Sequence, residues 1–245
     1  MLNLLIVDDN LHFSKILINI ISQCSNNFKL CTLATNGKEV LEQLKNNSFD
    51  IILLDLRLPK VSGITILKEL EKNYKKKYEK SIIVVSCDEN KINLVENSKC
   101  IFSIVNKIYG IDIILENILN LAKFKQDKKE NELLKVKIID ELQKINYNIS
   151  YVGTRYIADI INIIIEKNKT TDFNLKKDII PILCKKYNKT PSNIKMNVKH
   201  ATENMFFDCK QEVLNNYFGF NIIEKPKPKM VITTIINKLI NMGIA

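Results

Sequence analysis

Five short apolar, mostly β-branched runs recur through the first half of the chain, and each is followed by a segment with the period of a helix. The runs are Leu4–Val7, Leu30–Leu33, Ile51–Leu54, Ile82–Val85 and Ile101–Val105, and the amphipathic stretches lie near 11–22, 37–46, 63–73, 89–97 and 111–123. Strands that are apolar throughout are buried on both faces, and strict strand–helix alternation is the pattern of a parallel sheet covered by helices on each side. Residues 1–124 are therefore expected to form a doubly wound, flavodoxin-like α/β domain of five parallel strands. In such sheets ligands bind outside the carboxyl ends of the strands.

Those carboxyl ends carry a particular set of polar side chains. The first run ends in Asp8 and Asp9, the third in Asp55, the fourth in Ser86 and the fifth in Lys107. Asp and Ser also end strands and cap helices for structural reasons alone, but here one topology would gather all five around a single crevice. Three carboxylates so placed repel one another unless they share a cation, which points to a hard divalent ion such as Mg²⁺. One of them could then act as a nucleophile toward phosphorus, with the hydroxyl and the ammonium holding the product's oxygens.

On these residues the first 124 positions resemble a response-regulator receiver domain. The resemblance implies that Asp55 is the phosphoacceptor and that Asp9 and Asp55 bind Mg²⁺ directly, with Asp8 acting through water. It adds the main-chain carbonyl of Arg57 to the metal site, makes Ser86 the switch hydroxyl and Lys107 the family's lysine, and fits Pro59 and Gly63 to the loop after the third strand. Two positions depart from the family. Ile108 follows Lys107 where the family has proline after a cis bond, and a non-proline cis bond costs ~2.5–4 kcal/mol. A trans loop that places Lys107 differently is thus expected. The switch aromatic corresponds to Ser103 or Ile104, neither of them aromatic, so coupling to an output is expected to be altered.

Residues 123–137, KFKQDKKENELLKVK, are highly charged and contain no Gly or Pro; residues 125–132 are assigned as a solvated, partly helical linker. Beyond it, helices are expected at Leu133–Ile145, Thr154–Glu166, Pro181–Tyr187, Ser192–Asp208, Gln211–Tyr217 and Met230–Ile240. The turn at Asn188–Thr190 between two of these has the layout of a helix-turn-helix, with Thr190 as N-cap. On the second helix Ile194, Val198 and Ala201 should face inward. Ser192, Asn193, Lys195, Met196, Lys199 and His200 are the candidate DNA contacts. Charge agrees: the formal net charge is +10, and residues 127–245 hold 20 basic and 13 acidic side chains, a net of +7. The segments PILCKKYNKTPSNI, KHATENMFF, NNYFGFNI and KPKPKMVITTIINKL resemble, in order, the effector domain of the stage-zero sporulation regulator A family. That likeness covers 133–245 and implies a phosphorylation-controlled transcription factor. Asn193, Lys195 and Met196 stand where the family reads its DNA box with an arginine and other polar residues, so a diverged paralogue with its own preferred sequence is expected.

Other classes find little support. The six cysteines show no CxxC pair, two histidines cannot build a histidine metal centre, and GxGxxG and GxxxxGK[ST] are absent. No apolar run reaches the ~18 residues of a membrane span, and MLNLLIVDDN does not read as a signal peptide, so a cytosolic location is expected. The expected partners are DNA, a histidine kinase or phosphotransferase as donor, and a second copy of the chain when active. Two alternatives stay open: a DNA-binding regulator independent of phosphate, and an antagonist that forms heterodimers with a related regulator.

Overall fold

The structure, a computed structural model, describes residues 1–168, 170 and 173–243. It divides into two compact units, Met1–Lys128 and Lys129–Ala245.

In the first unit the strands are β1 (Leu2–Val7), β2 (Phe28–Ala34), β3 (Ile51–Asp55), β4 (Ile82–Ser86) and β5 (Ile101–Asn106). All neighbours are parallel, in the order β2-β1-β3-β4-β5. The helices are α1 (Leu11–Cys24), α2 (Gly37–Asn46), α3 (Gly63–Tyr78), α4 (Glu89–Asn93) and α5 (Ile111–Lys144). Alternate side chains of each strand face opposite layers. Leu5, Val7, Ile52, Leu54 and Val84 pack with Val40 of α2 and Ile66 and Leu70 of α3. Leu4, Ile6, Leu53, Ile83 and Val85 pack with Leu17 of α1 and Ile118 of α5. Both faces of the central strands β1, β3 and β4 are thus dry, which is why these are continuous apolar runs, while the edge strands β2 and β5 are only partly covered.

Two elements differ from expectation. The helix expected at 89–97 ends at Asn93, and the chain continues through tight turns in which Val95 N–H bonds Ile92 and Ser98 N–H bonds Val95. Bonds of that i→i+3 type close a narrower turn, suiting a segment whose anchor Val95 is buried while Leu94 is exposed. Residues 125–132, assigned above as a linker, lie inside α5, which runs unbroken for 34 residues. Without Gly or Pro, nothing in that stretch stops a helix. Ile114, Ile118 and Leu121 of α5 belong to the core of the first unit, and Leu134, Ile138 and Leu142 to that of the second.

The second unit continues with α6 (Val152–Glu166), α7 (Ile180–Tyr187), α8 (Pro191–Asp208), α9 (Gln211–Phe218) and α10 (Pro228–Asn241). A five-residue π turn at Leu175–Ile179, capped by the Asn174 side chain, leads straight into α7. Helices α6 and α8 cross so closely that a Cβ at Gly153 would stand 2.0 Å from the Asn197 carbonyl oxygen. Glu141 of α5, buried, accepts a hydrogen bond of 2.6 Å from the Tyr217 hydroxyl of α9 and pairs with Lys144. Burial pushes its carboxyl up, but Lys144 and Tyr217 outweigh this and hold it below the ordinary range.

Gly153→Ala should destabilise the chain by about 1–3 kcal/mol through overpacking, seen as an earlier unfolding transition in urea followed by far-UV ellipticity. Because the folded pKa of Glu141 is depressed, its contribution to stability is complete above the unfolded value and is lost as pH falls through the folded one. The stability difference between wild type and Glu141→Gln should hold steady above about pH 5 and shrink on acidification. A difference that grows toward acid would contradict this.

Candidate functional site

The site forms where β1, β3, β4 and β5 end. Asp8 follows β1, Asp55 closes β3, Ser86 closes β4, and Lys107 follows β5. The strand order puts β1 and β4 on either side of β3, with β5 beyond β4. Helix α3 begins directly against the end of β3, where a Cβ at Gly63 would meet the Asp55 carbonyl oxygen at 2.1 Å. Only glycine allows that approach.

Asp8 and Asp55 are buried and Asp9 is exposed, yet one carboxylate oxygen of each lies within 4.8 Å of the other two. The Lys107 ammonium sits between the two buried ones, 2.7 Å from Asp8 Oδ2 and hydrogen-bonded to Asp55 Oδ2. Their remaining oxygens accept main-chain N–H groups: Asp8 Oδ1 from Asn10 at 2.9 Å, and Asp55 Oδ1 from Arg57 at 2.8 Å. Burial pushes the Asp55 carboxyl up; the bonds from Lys107 and the Arg57 N–H oppose this, and the Asp8 charge adds to it. For Lys107 burial works downward, but hydrogen bonds and charge from Asp55 and Asp8 win, so its pKa is raised and the ammonium is kept.

No cis peptide bond occurs among the described residues, and the expectation that a trans loop would move Lys107 elsewhere is corrected by these contacts. The reason lies one residue earlier. The Asn106 side chain accepts the Ile108 N–H at 3.1 Å and caps a 3₁₀ turn over Lys107–Tyr109. An Asx cap therefore turns the chain where a proline would have. Asn106 was missed in the sequence reading; an Asn directly before the lysine was the available signal. The Phe13 ring, its centroid 5.6 Å from Lys107 Nζ, lies under the ammonium.

Ser86 is fully buried, and its hydroxyl accepts the Asp88 N–H at 3.2 Å. The Arg57 guanidinium reaches Asp88 at 3.2 Å, linking the loops after β3 and β4. Ile104 packs into the core, whereas Phe102 lies against Phe124 with ring centroids 5.6 Å apart.

The donor set fits Mg²⁺. All the groups are hard oxygen ligands, and three formal negative charges less one from Lys107 leave a charge of −2 for a divalent ion to balance.

The second group of candidate residues lies on α8. Asn188 ends α7 in the left-handed conformation, and the Thr190 side chain accepts the Asn193 N–H at 3.3 Å to start α8. Ile194, Val198 and Ala201 are buried. Ser192, Lys195, Met196, Lys199 and His200 are exposed, while Asn193 is half-buried and its side-chain oxygen accepts from Asn197 at 3.2 Å. Five of the six candidates therefore share an open face, and the sixth is partly engaged within the helix.

Residues 4–119 match the response regulator receiver domain family, and residues 138–239 match the family described as the sporulation initiation factor Spo0A C terminal. Among curated relatives, the probable C4-dicarboxylate response regulator DctR of Bacillus subtilis is 28% identical over 118 residues, 47% of this chain and 50% of that protein. The response regulator mcs4 of Schizosaccharomyces pombe is 37% identical over 71 residues, 29% of this chain and 13% of that protein. The chain thus spans half the length of the first relative and far less of the second. Similar solved structures include the receiver domain of the Francisella response regulator 1452, 25% identical with a TM-score of 0.42, covering 50% of this chain and 98% of that one. Another is the response regulator TrrA of Thermotoga maritima in complex with Mg²⁺ and BeF, 23% identical with a TM-score of 0.41, covering 49% of this chain and 99% of that one. The chain thus carries, in this order, a response regulator receiver domain over residues 4–119 and a domain of the Spo0A C-terminal family over residues 138–239.

Proposed function

We propose that this chain is a phosphorylation-controlled transcription regulator of the cytoplasm, acting in sporulation or stationary-phase control. Its switch is Asp55, and its output is DNA binding through α8. The observation that carries the reading is the Lys107 ammonium bound at once to Asp8 and Asp55, with Asp9 beside them. Three clustered acids alone would repel a phosphate; with a divalent ion shared among them, one can act as a nucleophile toward phosphorus.

In the proposed step a carboxylate oxygen of Asp55 attacks the phosphorus of a phosphohistidine on a kinase or phosphotransferase. The new O–P bond forms as the N–P bond breaks, and the leaving imidazole nitrogen takes a proton. Mg²⁺ held by Asp8, Asp9, Asp55 and the Arg57 carbonyl would supply charge neutralisation to the phosphoryl oxygens when bound. Lys107 can follow the charge from Asp55 Oδ2 to a phosphoryl oxygen. Ser86, whose hydroxyl accepts from Asp88, keeps its own proton to donate to another. The loops linked by Arg57 and Asp88 would shift with it, favouring a homodimer that reads paired half-sites.

A second reading, DNA binding that ignores phosphate, is favoured by Ser103 and Ile104 at the place of a switch aromatic, with Phe102 already packed on Phe124. Treatment with acetyl phosphate and Mg²⁺ separates the two. The first reading expects an 80 Da mass gain and tighter DNA binding, both abolished in Asp55→Asn; a mass gain with unchanged affinity would establish the second. Neither mass gain nor any change in affinity would remove Asp55 from both.

Asn106→Ala should loosen the turn that presents Lys107. Losing a side-chain cap costs about 1 kcal/mol of stability, so the urea transition of the sheet domain should come earlier by a matching amount, and the phosphorylation rate of the still-folded protein should fall. An unaltered rate would show that Lys107 does not depend on that turn.

A further inference from the structure

Beyond the six α8 residues, one more cation lies on the same face, and it comes from a different part of the chain. Glu203, one turn beyond His200 on α8, is approached by three nitrogen-bearing side chains. Lys199 Nζ is 4.0 Å and Lys225 Nζ 3.5 Å from its Oε1, and His200 Nδ1 is 3.5 Å from its Oε2. The carboxylate is mostly covered, its side chain 24% exposed, whereas Lys199, His200 and Lys225 are 70%, 63% and 50% exposed. One negative charge therefore holds two lysines and a histidine with their outer surfaces turned to solvent. Lys225 also stands 4.9 Å from the Phe207 ring centroid, which fixes it from a second side.

We propose that Lys225 is a DNA-phosphate contact, placed by Glu203 and Phe207 so that the loop before α10 extends the α8 interface. This rests on α8 being the DNA-facing helix. Glu203 is seven residues beyond Met196, about 10 Å along the axis at 1.5 Å per residue, and the major groove is ~12 Å wide. If residues 192–196 reach base edges, Lys199, His200 and Lys225 fall at the wall of the groove, where the phosphates run. Gathering like charges around one carboxylate is unfavourable in isolation and becomes favourable when a polyanion lies across them. The loop is already ordered for this task. The Ile222 N–H donates to Asn215 Oδ1 at 2.8 Å, Asn215 Nδ2 donates to Asn221 Oδ1 at 2.9 Å, and Ile222 and Pro226 are buried. Proline at 226 and 228 stiffens the backbone on both sides of Lys227, so little chain entropy is lost on binding.

The test uses the full chain and two duplexes, one obtained by random-site selection with this protein and a scrambled version of equal length. Affinities are measured by fluorescence anisotropy from 50 to 200 mM salt. Lys225→Ala should weaken binding to both duplexes by a similar factor and lower the slope of log K against log salt by about 0.9. Lys225→Arg should restore the slope. Lys123→Ala, an exposed lysine of the receiver domain, serves as control, and matching unfolding curves exclude a folding defect. Wild-type slope in Lys225→Ala, alongside weakened binding in Lys199→Ala, overturns this proposal and leaves the DNA-facing role of α8 standing. Failure of the wild type to bind either duplex overturns both.

Discussion

Lys107 makes the acidic cluster tolerable. At an effective dielectric near 20, two carboxylates about 5 Å apart repel by ~3 kcal/mol, and an ammonium in contact with each is attracted by more than that. Because Lys107 touches both buried acids, it converts two repelling charges into a bound set, while Asp9 remains at the rim. The formal charge left over is suited to a hard divalent ion. The ammonium is also not locked to one partner: each oxygen it holds belongs to a different strand end, so a change at Asp55 alters its balance with Asp8. A single lysine thus holds the two buried acids together.

The scaffold supports that arrangement by close backbone approach more than by surface ion pairs. Gly63 brings the start of α3 against the Asp55 carbonyl, and the Asn106 cap sets the turn that carries Lys107. The Arg57–Asp88 pair, with its guanidinium largely exposed, adds little stability and serves better as a link between two loops. Burial holds Asp55 on the strand, and main-chain N–H groups satisfy the oxygens that Lys107 does not reach.

Where residues in sequence also act locally in space, the fold was legible. Apolar runs named the strands and their parallel arrangement, and Ile194, Val198 and Ala201 picked out the inner side of α8. What escaped the reading depends on contacts distant in sequence or on competition between nearly equal local states. A missing proline at 108 argued for a displaced Lys107, but one Asn side chain replaced its effect on the turn. Charge along 125–132 argued for a linker, though lysine and glutamate are good helix formers and nothing there interrupts α5. The π turn at Leu175–Ile179 leaves no periodic signal over five residues. Glu203 and Lys225 lie 22 positions apart, and no local pattern joins them.

The composition of α8 constrains how the proposed DNA reading could discriminate. A bidentate arginine–guanine contact contributes roughly 1–3 kcal/mol of preference at one base pair, and this helix offers Lys195 and Met196 instead. Lysine is a point charge without a planar fork, and methionine gives apolar contact without hydrogen bonds. Affinity would then rest chiefly on phosphates, in keeping with the net charge of +7 carried by residues 127–245, and phosphate contacts carry no base identity. Selectivity would then have to come from elsewhere, and in the proposed dimer two helices at a set spacing would supply it geometrically. On this reasoning the receiver would control more than the amount of bound protein. By setting the pairing of two weakly selective helices, it would also determine which sites qualify.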